Sequence, residues 1–296
     1  MELNKQLDAA IKKSENGSEE EVYITIERKE YENYMSNEKW EAFLKEMNKE
    51  HLIAYVQGYG NEISEKQGRY GIYPPKMASY GSSSRMIYKL LKTVEGIHFE
   101  KQLPTKVGGT ANLDGYLQRG ETEIFIEAKC REIYTKHANI DIKEVYNEVL
   151  EAISKSDNAF QYTTKKKETK TGYLNYSFSY GGTPIERFDI KQLICHFLGI
   201  AANYIKNKSA KNKICFIYLI YNPKDLNISE LNDVYKSTIE EIELFKMNDL
   251  FIKMNDLFNA IFDYQKKALN RDTKAPEFEF KIADQSNIEE IINSVK

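Results

Sequence analysis

The stretch that decides the fold is IHFEKQLPTKVGGTANLDGYLQRGETEIFIEAK, residues 97–129. Its apolar residues recur at every second position in three short runs, a spacing typical of β-strands that turn one face to a core. In the third run, Glu127 and Lys129 share one face, whereas Ile126 and Ala128 belong to the other. The stretch therefore predicts three strands that bring acidic groups and a lysine toward one point.

The last two of these runs are predicted to form a hairpin. Gly120 suits the first position of a tight two-residue turn, which requires a positive φ. The resulting register places Asp114 directly opposite Glu127. Two carboxylates a strand apart, with Lys129 two residues further on, can hold a divalent cation and orient a water molecule. Such a cluster is costly to bury unless a metal or a partner neutralises it.

The combination of Asp114 with Glu127-Ala-Lys129 resembles the signature of the PD-(D/E)XK nuclease superfamily, which has the restriction-endonuclease-like fold. Leu113 stands where the name of the superfamily has a proline, a departure that many members share. The resemblance covers roughly residues 80–222 and is strongest to uncharacterised bacterial restriction-endonuclease-type proteins.

The resemblance implies a role for each residue of the motif. Asp114 and Glu127 would hold Mg²⁺, for which Mn²⁺ can substitute, and the backbone carbonyl of Ala128 would add a ligand. Lys129 would position the attacking water and help to deprotonate it. Glu100, in the first strand, is expected as an additional metal ligand, although an exposed strand glutamate explains it equally well.

A glutamine on the helix after the hairpin is a further feature of related nucleases. Gln192 occupies the corresponding place here, beside the apolar stripe of a helix that begins near Asp189. His196 lies one turn further along, and we interpret the Cys195-His196 pair as packing residues rather than zinc ligands. Glu132 is a weaker candidate to support the site.

An ordinary alternative remains for the Glu-x-Lys element, because this chain is rich in both residue types. The pair could form a surface ion-pair ladder on a polar sheet face, as sheets commonly carry. Only at Glu127 and Lys129 does an aspartate precede the element across a turn in a second apolar-patterned strand. This context favours the site over the ladder.

The order of elements predicts the fold class. A helix after Ser82 precedes the three strands, the helix of Gln192 follows them, and residues 213–221 form an apolar run typical of a buried strand. We therefore expect an α/β protein: a three-layer α/β/α restriction-endonuclease-like core with a mixed sheet, plus mostly helical extensions at both ends. The expected boundaries are 1–80, 81–225 and 226–296, and an amphipathic helix is expected near residues 38–55.

Composition limits the partners and the compartment. No apolar run is long enough to span a bilayer, and the three cysteines lack metal-ligand spacing, so we expect a cytoplasmic protein with no membrane partner. The net charge of −3 confines any DNA-binding surface to a local patch. Residues 156–186 are the best candidate, either as a nucleic-acid contact or as a solvated loop, with lysines at Lys165, Lys166 and Lys167.

These observations predict a Mg²⁺-dependent endonuclease that hydrolyses double-stranded DNA, most simply of the restriction type. One alternative is a repair or mobile-element nuclease with little sequence preference. Another is a nucleic-acid-binding protein that keeps the fold without cleaving. Residues 1–80 could serve target recognition, homodimer formation or scaffolding, and the sequence does not choose among these roles.

Overall fold

The computed structural model describes residues 3–16, 24–26, 29–31, 34–58, 62–68, 71–136, 140–166, 172–207, 211–244 and 251–295. Its helices are α1 (Leu3–Asn16), α2 (Asn37–Glu46), α3 (Lys49–Gln57), α4 (Ser83–Leu91), α5 (Asn147–Ser156), α6 (Ile190–Asn207), α7 (Ser229–Leu244), α8 (Phe251–Ala268) and α9 (Ile288–Ser294). Its strands are β1 (Ile24–Ile26), β2 (Lys29–Tyr31), β3 (Lys66–Gly68), β4 (Gly71–Tyr73), β5 (His98–Pro104), β6 (Thr110–Arg119), β7 (Thr122–Lys129), β8 (Ile140–Lys143), β9 (Phe160–Lys166), β10 (Tyr173–Tyr180), β11 (Thr183–Ile185), β12 (Lys213–Ile220) and β13 (Glu277–Ala283).

A five-stranded mixed sheet forms the centre of the molecule, in the order β13-β12-β7-β6-β5. Strand β6 runs antiparallel to both of its neighbours, β5 and β7. Strand β12 is parallel to β7, and β13 is parallel to β12. The predicted hairpin is confirmed with its register, since Arg119 pairs with Thr122 and Gly120 adopts a φ of 52° in the turn. Every residue of β7 is buried because the strand is central and covered on both faces.

Helices cover both faces of this sheet. On one face, Phe197 of α6 lies edge-on to Phe216 of β12, with ring centroids 5.3 Å apart. On the other face α4 packs closely, since a Cβ added to Gly115 would lie 3.0 Å from Ile87. The predicted α/β class with a mixed sheet is therefore confirmed, and the layers follow the order α/β/α.

Two segments differ from the sequence-based expectation. The amphipathic helix expected near residues 38–55 is divided into α2 and α3, because the side chain of Asn48 accepts a hydrogen bond from Glu50 N and starts a new helix. Strand β13, within the segment assigned to the C-terminal extension, pairs with β12 as an edge strand of the central sheet. Helix α8 packs on β13, where Phe258 stacks on Phe278 at 4.2 Å.

The largest difference lies between β7 and α6, where the loop interpretation of residues 156–186 is wrong over its described parts. Strands β9, β10 and β11 form antiparallel hairpins there, and β8 pairs with β10 to complete a second, four-stranded sheet. In β10, Tyr176, Phe178 and Tyr180 are buried at every second position. Asparagine and serine fill the alternate positions, and they concealed the strand pattern.

Among the described residues, none of the helices has both the length and the apolar character needed to cross a membrane.

Candidate active site

Three acidic residues occupy one row across neighbouring strands. In β5 and β6, Phe99 pairs with Gly115 and Lys101 with Leu113, so Glu100 and Asp114 fall opposite each other between these pairs. Continuing the pairing of Gly115 with Ile126 by one step brings Asp114 opposite Glu127, as the sequence predicts. The row ends at Tyr218 of β12, which pairs with Glu127. Glu100, Asp114 and Glu127 line one cleft, so their side chains converge.

The Asp114 carboxylate takes the place of a backbone partner at the end of the hairpin ladder. Its Oδ2 accepts a hydrogen bond of 2.7 Å from the backbone N–H of Ala128. On the next residue, the carbonyl of Lys129 accepts from Tyr221 N on the β12 side. Because successive peptide groups of a strand point in opposite directions, the Ala128 carbonyl is directed toward β6 and the acidic row. Ala128 can therefore offer a backbone oxygen beside Asp114.

Glu127, Lys129 and Gln192 form a closed hydrogen-bonded triangle. The Lys129 ammonium lies 2.6 Å from Glu127 Oε1, the Gln192 amide donates to the same oxygen at 2.7 Å, and the Gln192 carbonyl oxygen accepts from Lys129. The side chains of Lys129 and Glu127 are only 8% and 3% exposed. This burial excludes the alternative of a surface ion-pair ladder. Asp189 at the start of α6 accepts from Gln192 N and fixes the first turn that carries the amide.

His196 is a neighbour of Glu127 that the sequence analysis assigned to packing alone. Its ring is 2% exposed, and its Nε2 lies 2.9 Å from Glu127 Oε2. The approach fails the angular requirement of an N–H···O hydrogen bond, so Oε2 is left buried without a hydrogen-bond partner. We therefore treat the contact as electrostatic. The one-turn spacing from Gln192 was the signal that could have identified His196.

Glu100 lies in the same cleft in a strained backbone conformation. Its φ is 55°, which is uncommon for a residue other than glycine, and backbone strain of this kind clusters at active sites and ligand clamps. A Cβ on Gly58 would lie 2.8 Å from a Glu100 carboxylate oxygen, so the bare glycine makes room for this side chain. Glu62 and Lys76, joined by an ion pair of 2.6 Å, also line the cleft. The sequence analysis missed both residues.

The pKa values of Asp114 and Glu100 are both raised, which reflects the excess of carboxylates in the cleft. Burial raises the pKa of Asp114 well above its usual range, and the carboxylates of Glu127 and Glu100 raise it further. Burial also raises the pKa of Glu100 to about 7, with the charge of Glu62 as the second cause. Both groups therefore bind a proton more tightly than an ordinary carboxylate, because the ionised forms are poorly solvated and repel one another.

Glu127 and Lys129 behave as a charged pair. Burial opposes ionisation of Glu127, but the Lys129 ammonium and the neighbouring His196 ring prevail and lower the pKa of the carboxyl to about 2. Burial alone lowers the pKa of Lys129, but the Glu127 carboxylate prevails and raises it well above its usual range. The ammonium and the carboxylate are both charged at neutral pH as a result.

The acidic row opens into a cleft of about 610 Å³. Glu132, the weaker candidate, lies on its wall, where it accepts hydrogen bonds from Ser83 Oγ and Cys130 N, each of 2.9 Å. Glu132 thus ties α4 to the end of β7.

The oxygen atoms of the acidic row and of the Ala128 carbonyl are of the type that binds a hard divalent cation. Carboxylate oxygens and a backbone carbonyl are the ligands that Mg²⁺ prefers, and Glu127 Oε2 is a buried oxygen that lacks a hydrogen bond. The side chains are nevertheless not arranged as a preformed metal-binding site. In the part of the chain that the structure describes, no group of three or more His, Cys, Asp or Glu residues is arranged to hold a metal. Lys129 instead neutralises Glu127 directly.

Two of the three lysines predicted to contact DNA belong to β9 of the second sheet. Lys165 is exposed on β9, opposite Asn175 of β10. Lys166 ends β9, but its side chain lies outside the described residues, as does the whole of Lys167. The structure therefore brings Asp114, Glu127, Lys129 and Gln192 into one cluster, and Lys165 is not among the residues that line the cleft.

Comparison with known proteins returned no matching family model, no matching curated protein and no matching solved structure. The resemblance to the PD-(D/E)XK nucleases therefore rests on the residues of this chain alone.

Proposed function

We propose that this protein is a Mg²⁺-dependent endonuclease that hydrolyses phosphodiester bonds of DNA, with the site built on Asp114, Glu127 and Lys129. The observation that carries the proposal is the buried Lys129–Glu127–Gln192 triangle beside Asp114, at the base of an open cleft. A fold gains little from burying such a group, because apolar residues of similar volume are usually at least as stabilising. A catalytic role accounts for it.

The proposed roles follow from the donors and acceptors at hand. Asp114, Glu127 and the Ala128 carbonyl would hold the cation, and Glu100 would add a ligand from the neighbouring strand. When bound, Mg²⁺ lowers the pKa of a coordinated water and neutralises charge on the phosphate oxygens.

Lys129 is placed to act on the attacking water. As an ammonium it donates hydrogen bonds, so it can orient the water and stabilise the negative charge that grows on the phosphate group. Its pKa is held high chiefly by the Glu127 carboxylate, and burial acts in the opposite direction. If the Glu127 charge is neutralised, burial dominates and favours the amine, which can accept a proton from the water. Gln192 would hold the Lys129 side chain in position through both states.

The proposal is tested by incubating the purified protein with supercoiled plasmid in Mg²⁺, with and without EDTA. Asp114→Asn, which keeps the shape of the side chain, and Lys129→Ala should each slow cleavage by a factor on the order of one hundred or more. Lys281→Ala is a matched control, because Lys281 forms a second Glu-x-Lys pair with Glu279 on the same sheet, 3.2 Å apart and partly exposed.

Lys281→Ala should cut plasmid at the parent rate. Cleavage by Lys129→Ala at the rate of the control would refute the assignment of the site. Absence of any nicking by the parent protein in Mg²⁺ or Mn²⁺, on plasmids of varied sequence, would refute the nuclease proposal itself.

Metal specificity gives a second test. Mn²⁺ should replace Mg²⁺, and Ca²⁺ should bind with little turnover, because its looser coordination aligns the water poorly. Calorimetric titration with Mn²⁺ should show binding that disappears in the Asp114→Ala, Glu127→Ala double variant. Unchanged binding in that variant would place the cation elsewhere.

A further inference from the structure

A second cavity of about 520 Å³ adjoins the candidate active site. It shares Asn112 and Gln192 with the acidic cleft, so the two spaces meet at these two residues, one of which belongs to the triangle. Its volume falls in the range of sites for small ligands, about 300–1,000 Å³.

The second sheet builds one wall of this cavity. Ile142 and Lys143 of β8 and Tyr173 of β10 line it, together with Tyr146 from the turn before α5. Ile142 and Tyr146 are largely buried, while Tyr173 is half-buried at the cavity. The inserted segment between β7 and α6 thus contributes an aromatic and aliphatic surface next to the reacting centre, of the kind on which a nucleobase stacks.

Two residues that line the cavity, Asn112 and His196, carry buried polar atoms without a hydrogen-bond partner: Asn112 Oδ1 and both ring nitrogens of His196. The Nε2 atom of His196 faces Glu127 Oε2 at 2.9 Å, so we assign the ring proton to Nε2, which makes Nδ1 an acceptor. Unpaired acceptors are costly to bury, and they become favourable when a ligand supplies N–H donors. Bases with an exocyclic amine, such as adenine and cytosine, supply them.

Two exposed lysines, Lys143 and Lys191, line the same cavity. The Lys143 ammonium donates to Gly108 O at 3.0 Å, and the Lys191 ammonium donates to Asp141 O at 2.9 Å. Each ammonium has three N–H donors, so two remain on each lysine for a phosphate. The carboxylates of Asp141 and Asp189 also line the cavity, but each accepts a hydrogen bond from within the protein.

From this arrangement we propose that the cavity binds one unpaired nucleotide of the DNA strand whose phosphate lies in the acidic cleft. The base would lie against Tyr173 and donate to Asn112 and His196, while Lys143 and Lys191 would contact the adjoining phosphate. The inference rests on the proposed function, and it makes the preferred substrate a strand with an unstacked nucleotide next to the cut.

The test is equilibrium binding of a fluorescein-labelled single-stranded oligonucleotide by the full chain carrying Asp114→Asn, in EDTA, followed by anisotropy. Adding Tyr173→Ala should weaken binding by about tenfold or more, the loss expected for one base–aromatic stack. Tyr173→Phe, which keeps the ring, should bind like the Asp114→Asn parent. Tyr162→Ala is the matched control, because Tyr162 is a half-buried tyrosine of the same sheet that lies outside the cavity lining.

Equal affinity of the Tyr173→Ala and Tyr162→Ala proteins would overturn the inference. An equal loss in Tyr173→Phe and Tyr173→Ala would also overturn it, because the ring would then not be the contact. The affinity for deoxyadenosine monophosphate could depend on Tyr173 while the affinity for the oligonucleotide does not. That result would identify the cavity as a site for free nucleotides and refute the proposal that it binds a nucleotide of the DNA strand. Plasmid cleavage by the parent protein is scored separately, so the nuclease proposal can stand while the cavity proposal falls.

Discussion

Replacing Lys129 by methionine tests how the buried charges of the site are balanced. Methionine keeps much of the length of the side chain but removes the ammonium that lies 2.6 Å from Glu127 Oε1. The Glu127 carboxylate, 3% exposed, would then lose its nearest cation. Leaving one partner of a buried ion pair without its counter-ion destabilises a protein by about 3–5 kcal/mol.

The pKa of Glu127 gives a separate figure, for the net effect of burial, Lys129 and His196 together. A carboxyl lowered from 4.5 to about 2 in the folded state contributes roughly 3 kcal/mol to stability. Because the folded pKa is below the unfolded one, this contribution is complete above the unfolded pKa and is lost as the pH falls toward the folded pKa. In the Lys129→Met protein, burial of Glu127 is opposed only by His196 and Gln192. Protonation of Glu127 then relieves the cost, so the gap between parent and variant should shrink in acid.

The measurement is urea unfolding followed by circular dichroism, at about pH 7.5 and about pH 5. Lys129→Met should lose about 3 kcal/mol at the higher pH, and the double variant Glu127→Gln, Lys129→Met should recover part of that loss. Lys281→Met removes the partly exposed partner of Glu279 and should cost less than about 1 kcal/mol. Two results would refute this balance of buried charges: a Lys129→Met protein as stable as the Lys281→Met control, or a double variant no more stable than Lys129→Met alone.

Two further predictions concern other parts of the molecule. Alanine at lysines 165–167 should weaken binding to all DNA sequences alike. It should also reduce the slope of the salt dependence by roughly 1 for each phosphate contact that is lost. Fluorescence anisotropy at several salt concentrations measures the slope, and an unchanged slope would show that these lysines do not contact DNA. Burial raises the pKa of Asp8 to about 6 despite the nearby Arg131. Above that pH the buried carboxyl is ionised and lowers the stability of the folded protein. Below the ordinary pKa of an aspartate the carboxyl is protonated in both the folded and the unfolded state, and this cost is absent. Asp8→Asn should therefore be more stable than the parent by about 1–3 kcal/mol near pH 8 and by less near pH 5; urea unfolding decides it, and a difference independent of pH would contradict the titration.

The local part of the site could be predicted from the sequence because its determinants are local. Alternation assigned Glu127 and Lys129 to one face, and the turn at Gly120 fixed the register with Asp114, so neither inference needed a distant contact. The position of Gln192 beside them depended on the resemblance to known nucleases. In the structure its amide lies 2.7 Å from Glu127 Oε1.

The parts that escaped prediction depend on contacts between distant segments. Glu62 and Lys76 come from a connection whose Gly, Tyr and Pro content carries no strand or helix period, and only the folded chain brings them to Glu100. The second sheet escaped because β10 alternates aromatic residues with asparagine and serine rather than aliphatic with charged residues. His196 was assigned to packing because its one-turn spacing from Gln192 does not by itself separate a site residue from a core histidine on an apolar helix.

Lys129 has two tasks that oppose each other. In the folded protein its ammonium neutralises Glu127 at 2.6 Å, and removing the ammonium would leave the buried carboxylate without its nearest counter-ion, at the cost estimated above. The proposed reaction needs the same nitrogen to face a water molecule, so the contact with Glu127 must loosen first. Glu127 Oε2 is the atom through which this exchange can begin, because it is buried, has no hydrogen bond and lies on the carboxylate that holds Lys129. Neutralising the Glu127 charge at Oε2, as a bound cation would, would weaken the attraction at Oε1; the burial that remains would then lower the pKa of Lys129 and favour its amine form.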